Sequence, residues 1–236
     1  MKIINKLLAI CTLLFAFGMS SCNDDDNTTG GGFPSNLNTD FATFVSSGDN
    51  GSVFTVQKSA DSPVATLTST TKVSSDALKA GERVILQYVP TGSDAYASGP
   101  VTIYGIGKII NGKVSEATET EINGMHNDYL KMLIFNRTGV YINIWAEATL
   151  RNEPVKFTIV ADKATLGDAY PKLYVVFETD SDMGSTRSVY ASFDIASVFN
   201  QSTCDGVEVY YRTRGGYEKK RFDKALLVDP GTDPVE

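Results

Sequence analysis

Histidine is nearly absent from this chain; His126 is the only one. No two imidazoles can share a zinc ion, and a histidine-based triad has one candidate base. Cysteine is almost as scarce, with Cys11, Cys22 and Cys204, which excludes a four-thiolate metal site. Basic charge is in deficit: 21 Lys and Arg face 28 Asp and Glu, a formal net charge of -7 with a pI near 4.8. Nucleic acid needs a basic face, so this balance argues against a general polyanion binder. Almost nothing after residue 40 keeps a helical period over eleven residues. What is present suits a globular protein: 236 residues, 42% hydrophobic and 21% charged, enough for a sizeable core in one or two domains.

Residues 1–21 are built for export. Lys2 and Lys6 form a basic start, and Leu7 to Phe17 an apolar stretch of eleven residues, too short for a comfortable membrane span. Gly18-Met19-Ser20-Ser21-Cys22 then resembles a bacterial lipoprotein box. The resemblance implies cleavage before Cys22, a diacylglycerol on its thiol and an acyl chain on its amine. Several chains together hold a protein firmly at a membrane; the alternative is a plain secretory leader. Asn23, Asp24, Asp25 and Asp26 follow. They resemble the acidic signal that sends lipoproteins to the cell surface in Bacteroidetes; the other reading is a solvated start to a tether. The expected location is the outer membrane, surface exposed or else periplasm-facing. Residues 27–32 (NTTGGG) are flexible by composition, so residues 22–36 read as an acylated cysteine and a tether. Without Lys2 and Lys6, 19 basic residues face 28 acidic ones, and the mature body of 215 residues is near -9. Cys204 is left without a partner, so it reads as a buried bystander and no disulfide is expected.

The body reads as strands and turns. Residues 53–57, 64–70, 83–89 and 101–110 are strand-like, with Gly105 and Gly107 marking a bulge. Asn111-Gly112 reads as a hairpin turn. Together these predict a small five-stranded OB-like barrel over residues 37–118. Residues 115–127 are a polar connector or a short helical piece. In Val140 to Ala148 the even-numbered Ile142, Ile144, Ala146 and Ala148 alternate with Tyr141, Asn143, Trp145 and Glu147, so the even set should face a core. Residues 155–160, 172–178, 189–193, 207–212 and 221–228 add further strands. They predict an antiparallel β-sandwich over residues 119–229, with a tail over 230–236. The fold class is all-β.

Three short segments carry a family resemblance: Gly81-Glu82-Arg83-Val84, Tyr141-Ile142-Asn143-Ile144 and Ser192-Phe193-Asp194-Ile195. With the lipid-modified cysteine and its acidic run, they resemble the NigD-like lipoproteins of Bacteroidetes. The resemblance spans nearly the whole chain and implies an N-terminal OB-type barrel and a C-terminal β-sandwich. It supplies no catalytic residues, and a link to bacteriocin production implies immunity or envelope binding.

Chemistry is sparse. His126 lies two residues from Asp128, but no G-x-S-x-G segment supports a triad. Asp180, Asp182 and Gly184 faintly resemble a calcium loop, yet no glutamate closes it. Arg83, Lys108, Tyr88, Tyr96 and Tyr104 are too few for a nucleic-acid groove. The chain reads as no enzyme, with no cofactor and no metal. One segment is denser. If Val207, Val209 and Tyr211 face the core, Glu208, Tyr210 and Arg212 face solvent, and a hairpin through Gly215-Gly216 brings Tyr217, Lys219 and Arg221 beside them. Exposed Tyr and Arg favour binding patches. The expected partners are the lipid anchor and an envelope protein or polysaccharide. Immunity against a bacteriocin and an accessory role in an outer-membrane assembly are the alternatives.

Overall fold

The computed structural model describes residues 34–74, 76–180 and 184–224. The leader, Cys22, the run Asn23, Asp24, Asp25 and Asp26, and residues 225–236 lie outside the described residues. No helix among the described residues is long and apolar enough to cross a membrane.

Five strands close into a barrel: β1 (Asn38–Gly48), β2 (Gly51–Gln57), β3 (Val64–Ser69), β4 (Arg83–Pro90) and β5 (Gly99–Lys108), in the order β1-β2-β3-β5-β4. Closure hides the strand edges that an open sheet of this size would expose. Its interior holds Phe54, Leu67, Leu86 and Tyr88, all fully buried. Two irregularities coil the barrel. One falls between Phe44 and Ser46 of β1. The other lets Tyr104 bulge from β5 beside Gly105, as the glycine spacing predicts.

Nine strands follow: β6 (Ile110–Lys113), β7 (Ser115–Ala117), β8 (Lys131–Thr138), β9 (Tyr141–Leu150), β10 (Lys156–Asp162), β11 (Lys172–Glu178), β12 (Ser185–Asp194), β13 (Gly206–Thr213) and β14 (Gly216–Asp223). Helix α1 (Glu119–Gly124) lies between β7 and β8. The strands form a four-stranded sheet, β6-β12-β9-β8, and a five-stranded sheet, β14-β13-β11-β10-β7. The even-numbered residues of β9 do point inward, with Ile142, Ile144 and Ala146 fully buried. They meet Leu173, Phe177, Phe193, Val207 and Val209 in one core. The Phe157 ring stands edge-on to Phe177 and Phe193 at 5.1 and 5.4 Å, the favoured geometry for aromatic pairs.

Three expectations are corrected. Asn111-Gly112 is not a hairpin turn; it lies inside β6, which runs parallel to β12 with Gly112 opposite Phe193. A Cβ on Gly112 would sit 2.8 Å from the Phe193 ring, so this glycine marks a close approach rather than a reversal. Residues 110–117 leave the barrel: β6 joins the four-stranded sheet, and β7 joins the five-stranded sheet parallel to β10. With β11 and β13 also parallel, the sheets are mixed rather than purely antiparallel. Finally, the last described strand begins at Gly216 rather than Arg221.

Two buried arginines join barrel to sheets. Arg83, at the start of β4, donates from Nε to Ser192 Oγ (3.2 Å) and from its terminal nitrogens to Thr43 Oγ1 (3.0 Å), Asn143 Oδ1 (3.0 Å) and Thr138 Oγ1 (3.4 Å). Its guanidinium also lies 4.6 Å from the Tyr141 ring centroid. Arg137 of β8 forks onto both oxygens of Asp61 (2.8 and 2.9 Å) in the β2–β3 loop. It also donates to the carbonyls of Gly139 and Asp223 and lies over Phe199. The three segments that carry the family resemblance thus converge: Arg83, Tyr141, Asn143 and Ser192 are one cluster. They build the joint between the two halves.

Candidate functional site

The sequence-predicted patch is assembled on the outer face of the five-stranded sheet. Val207 and Val209 are fully buried and Tyr211 packs against the core, so Glu208, Tyr210 and Arg212 point outward. The β13–β14 register sets Tyr210 opposite Lys219, Arg212 opposite Tyr217 and Glu208 opposite Arg221. On the other flank, β11 brings Tyr174 against Tyr210, their rings stacked at 5.1 Å and 18°. Tyr174 was not among the sequence-predicted residues. The alternation in KLYVVFE carried the signal, because Leu173 and Val175 face inward.

Charges on this face are partly matched. Lys219 Nζ binds Glu208 at 2.7 Å, and Tyr210 donates its hydroxyl to the same carboxylate at 3.0 Å. Those bonds, led by Lys219, lower the Glu208 pKa below the usual carboxylate range. Arg221 lies 3.4 Å over the Tyr170 ring and pairs with Asp223 at 2.6 Å. Arg212 is drawn down onto the Asn127 carbonyl. Asn127 is buried and bonds the backbone of Val175 and Phe177, so Arg212 is a strut as well as a surface cation. Tyr217 is 62% exposed. Four cations (Lys172, Arg212, Lys219, Arg221) therefore accompany three carboxylates (Glu178, Glu208, Asp223) on this face of an acidic chain. On its far side α1 covers Val160 and Val176 with Ile122 and Met125, so only the β11–β13–β14 half is open.

The remaining candidates are structural. His126 is exposed and bonds Asp128 at 3.0 Å; Asp128 in turn accepts from Thr179 N and Oγ1. This is an anchor for the 126–130 segment. Asp180 accepts from Asn152, while Asp182 lies outside the described residues. Among the described residues no group of three or more His, Cys, Asp or Glu could hold a metal. Cys204 is buried beside the Gly206 carbonyl. Arg83 and Tyr88 are buried, so they cannot line a nucleic-acid groove. Tyr88 and Tyr96 instead donate their hydroxyls to the two oxygens of Asp40 at 3.0 and 2.9 Å. Burial, reinforced by Asp40, pushes the Tyr96 phenol up to about 12.

A cleft of about 100 Å³ lies where the barrel meets the four-stranded sheet. Barrel residues Asp40, Gln57 and Lys58 face Asn136, Trp145 and Tyr190 across it. It is well below the few hundred Å³ of a site that engulfs a small molecule.

The fold has solved counterparts. A protein of unknown function from Bacteroides vulgatus superposes with a TM-score of 0.65 at 15% identity, over 84% of this chain and 96% of the other. A protein from Parabacteroides distasonis described as toxin-related gives 0.61 at 14% identity, over 80% and 93%. A NigD-like immunity protein from Bacteroides caccae gives 0.57 at 14% identity, over 81% and 98%. At these identities the likeness is one of fold. No family model and no curated protein matches the chain. What is shared is the overall fold, over most of each chain.

Proposed function

We propose that this chain is a non-enzymatic lipoprotein of the NigD-like kind, with residues 1–21 as leader and residues 22–36 as tether. Acyl chains on Cys22 hold it at the outer membrane, and it protects its cell by binding a protein toxin. The observation that carries the reading is the open sheet face, where Tyr174, Tyr210 and Tyr217 stand among Arg212, Lys219 and Arg221. Rigid aromatics and cations at the centre of a flat surface are the residues that dominate protein interfaces. The excess of cations there favours an acidic partner surface. Two fold counterparts, described as toxin-related and as a NigD-like immunity protein, support the same reading.

The test is a deletion strain challenged with culture supernatants of neighbouring strains. Sensitivity should rise on deletion and return to normal with the wild-type gene. A chain carrying Tyr210→Ala, Tyr217→Ala and Lys219→Glu should reach the membrane yet restore little protection, since each interface aromatic is worth about tenfold or more in affinity. Unchanged sensitivity after deletion removes the immunity reading. Full rescue by the triple variant removes the face from it.

A further inference from the structure

We infer that the cleft between barrel and four-stranded sheet is a second recognition site, one that takes a pyranose ring of a polysaccharide. Strand register lines up Tyr190 of β12, Trp145 of β9 and Ile134 of β8 in one row. The Trp145 and Tyr190 rings stack at 5.3 Å and 26°. Two positions earlier in β9, Asn143 is fully buried in the Arg83 joint. The barrel therefore covers one end of this sheet face and stops short of the aromatic pair, leaving a half-exposed ledge. The indole N–H already donates to Ser188 Oγ at 3.2 Å. Trp145 thus needs no polar ligand, and its apolar surface is what remains to be covered.

The opposite wall is polar. Asp40 is fixed by two phenol hydroxyls, and a carboxylate has acceptor capacity beyond two bonds. On the sheet side, beside the aromatic pair, Asn136 of β8 accepts from Asn143 through its oxygen at 3.0 Å, which leaves its NH2 group as a donor. Lys58 and Gln57 complete the rim. A sugar ring has an apolar C–H face bordered by hydroxyls that both donate and accept. An aromatic ledge flanked by an amide donor and facing a fixed acceptor matches that pattern. An apolar peptide would leave the remaining acceptor capacity of Asp40 and the Asn136 amide unused, and a phosphate would meet the Asp40 charge. The cleft's about 100 Å³ equals roughly three waters at about 30 Å³ each, room for the edge of one ring with the rest of a chain running outward. The site lies on the other sheet from the toxin-binding face and stands independently of that reading.

Trp145 is the only tryptophan in the chain, so its fluorescence reports this cleft alone. The detergent-solubilised lipoprotein would be titrated with oligosaccharides cleaved from its own strain's lipopolysaccharide, and separately with maltohexaose and xylohexaose. A saturable change in emission is expected in at least one arm; the responding arm says whether the sugar belongs to the cell's own envelope or to an external glycan. Tyr190→Ala and, on the same sheet, Asn136→Ala should each weaken binding by about tenfold, while Lys219→Glu leaves it unchanged. No saturable change in either arm overturns the inference. So does wild-type affinity in both cleft variants.

Discussion

Arg83 joins two halves of a protein without a carboxylate among its bonded partners. Burial lowers its pKa to about 10, against a smaller raising influence from Tyr141. The folded state therefore holds this proton less tightly than the unfolded chain, and stability from this group rises with pH above about 10. At neutral pH the buried charge is a cost, outweighed by four oriented hydrogen bonds. Arg83→Met should leave Thr43 without its partner and strip one bond each from Ser192, Asn143 and Thr138, which keep bonds to one another, and cost about 2–4 kcal/mol. A chain of this size should lose roughly 10 °C in melting temperature, measurable by calorimetry. Arg83→Lys should recover little, because an ammonium cannot reproduce the planar fork. Tyr96 has the opposite sign. A phenol raised to about 12 gives stability that is full below pH 10 and lost between about pH 10 and 12. Asp40→Asn should move its ultraviolet titration back toward 10. None of this was legible in advance. A lone arginine at a strand start reads as a surface charge until the partner strands, 55 to 109 residues further along, are placed beside it.

Among elements, legibility followed local periodicity. β9 was readable because strict alternation encodes a half-buried strand, and the β13–β14 hairpin because Gly215-Gly216 separates two polar-apolar runs. β1 was missed since only Ala42 and Phe44 are buried in its eleven residues. Parallel pairing of β6 was missed because its partner is far away in the chain. Tyr174 and Tyr190 belong to the same class of omission: each gains its meaning from a neighbouring strand. Two substitutions test element-level claims. Gly51 turns β1 into β2 at φ 105°, and an added Cβ would lie 1.8 Å from the Ser69 carbonyl oxygen. Gly51→Ala should cost about 3 kcal/mol or leave the barrel unfolded, as urea titration would read. Thr118 caps α1 by accepting from Glu121 N, while Glu121 returns a carboxylate to Thr118 N. Those bonds lower the Glu121 pKa, so their stabilisation is present above about pH 4.5 and fades on acidification. Thr118→Ala should cost about 1 kcal/mol and weaken that acid dependence without abolishing it, because the backbone N–H of residue 118 still bonds Glu121.

For the molecule as a whole, the proposed lipid on Cys22 and the acidic body should act separately. Cys22→Ser should abolish labelling by radioactive palmitate and shift the chain from the membrane to the soluble fraction, while calorimetry of the folded body stays the same. Labelling that persists in the variant would place the lipid elsewhere. A leader can be read as linear text, whereas recognition surfaces depend on strands that meet only after folding.

The eight residues from Ile110 to Ala117 impose a constraint on heredity. Leaving the barrel, they lend one strand to each sheet in turn, so a crossover at this point would give one descendant a barrel with two loose ribbons and the other a pair of sheets each missing an edge. Neither product keeps the lid over Phe193 or the partner for Arg83. Gene shuffling in this lineage should therefore move residues 34–224 intact rather than split them between Ile110 and Ala117.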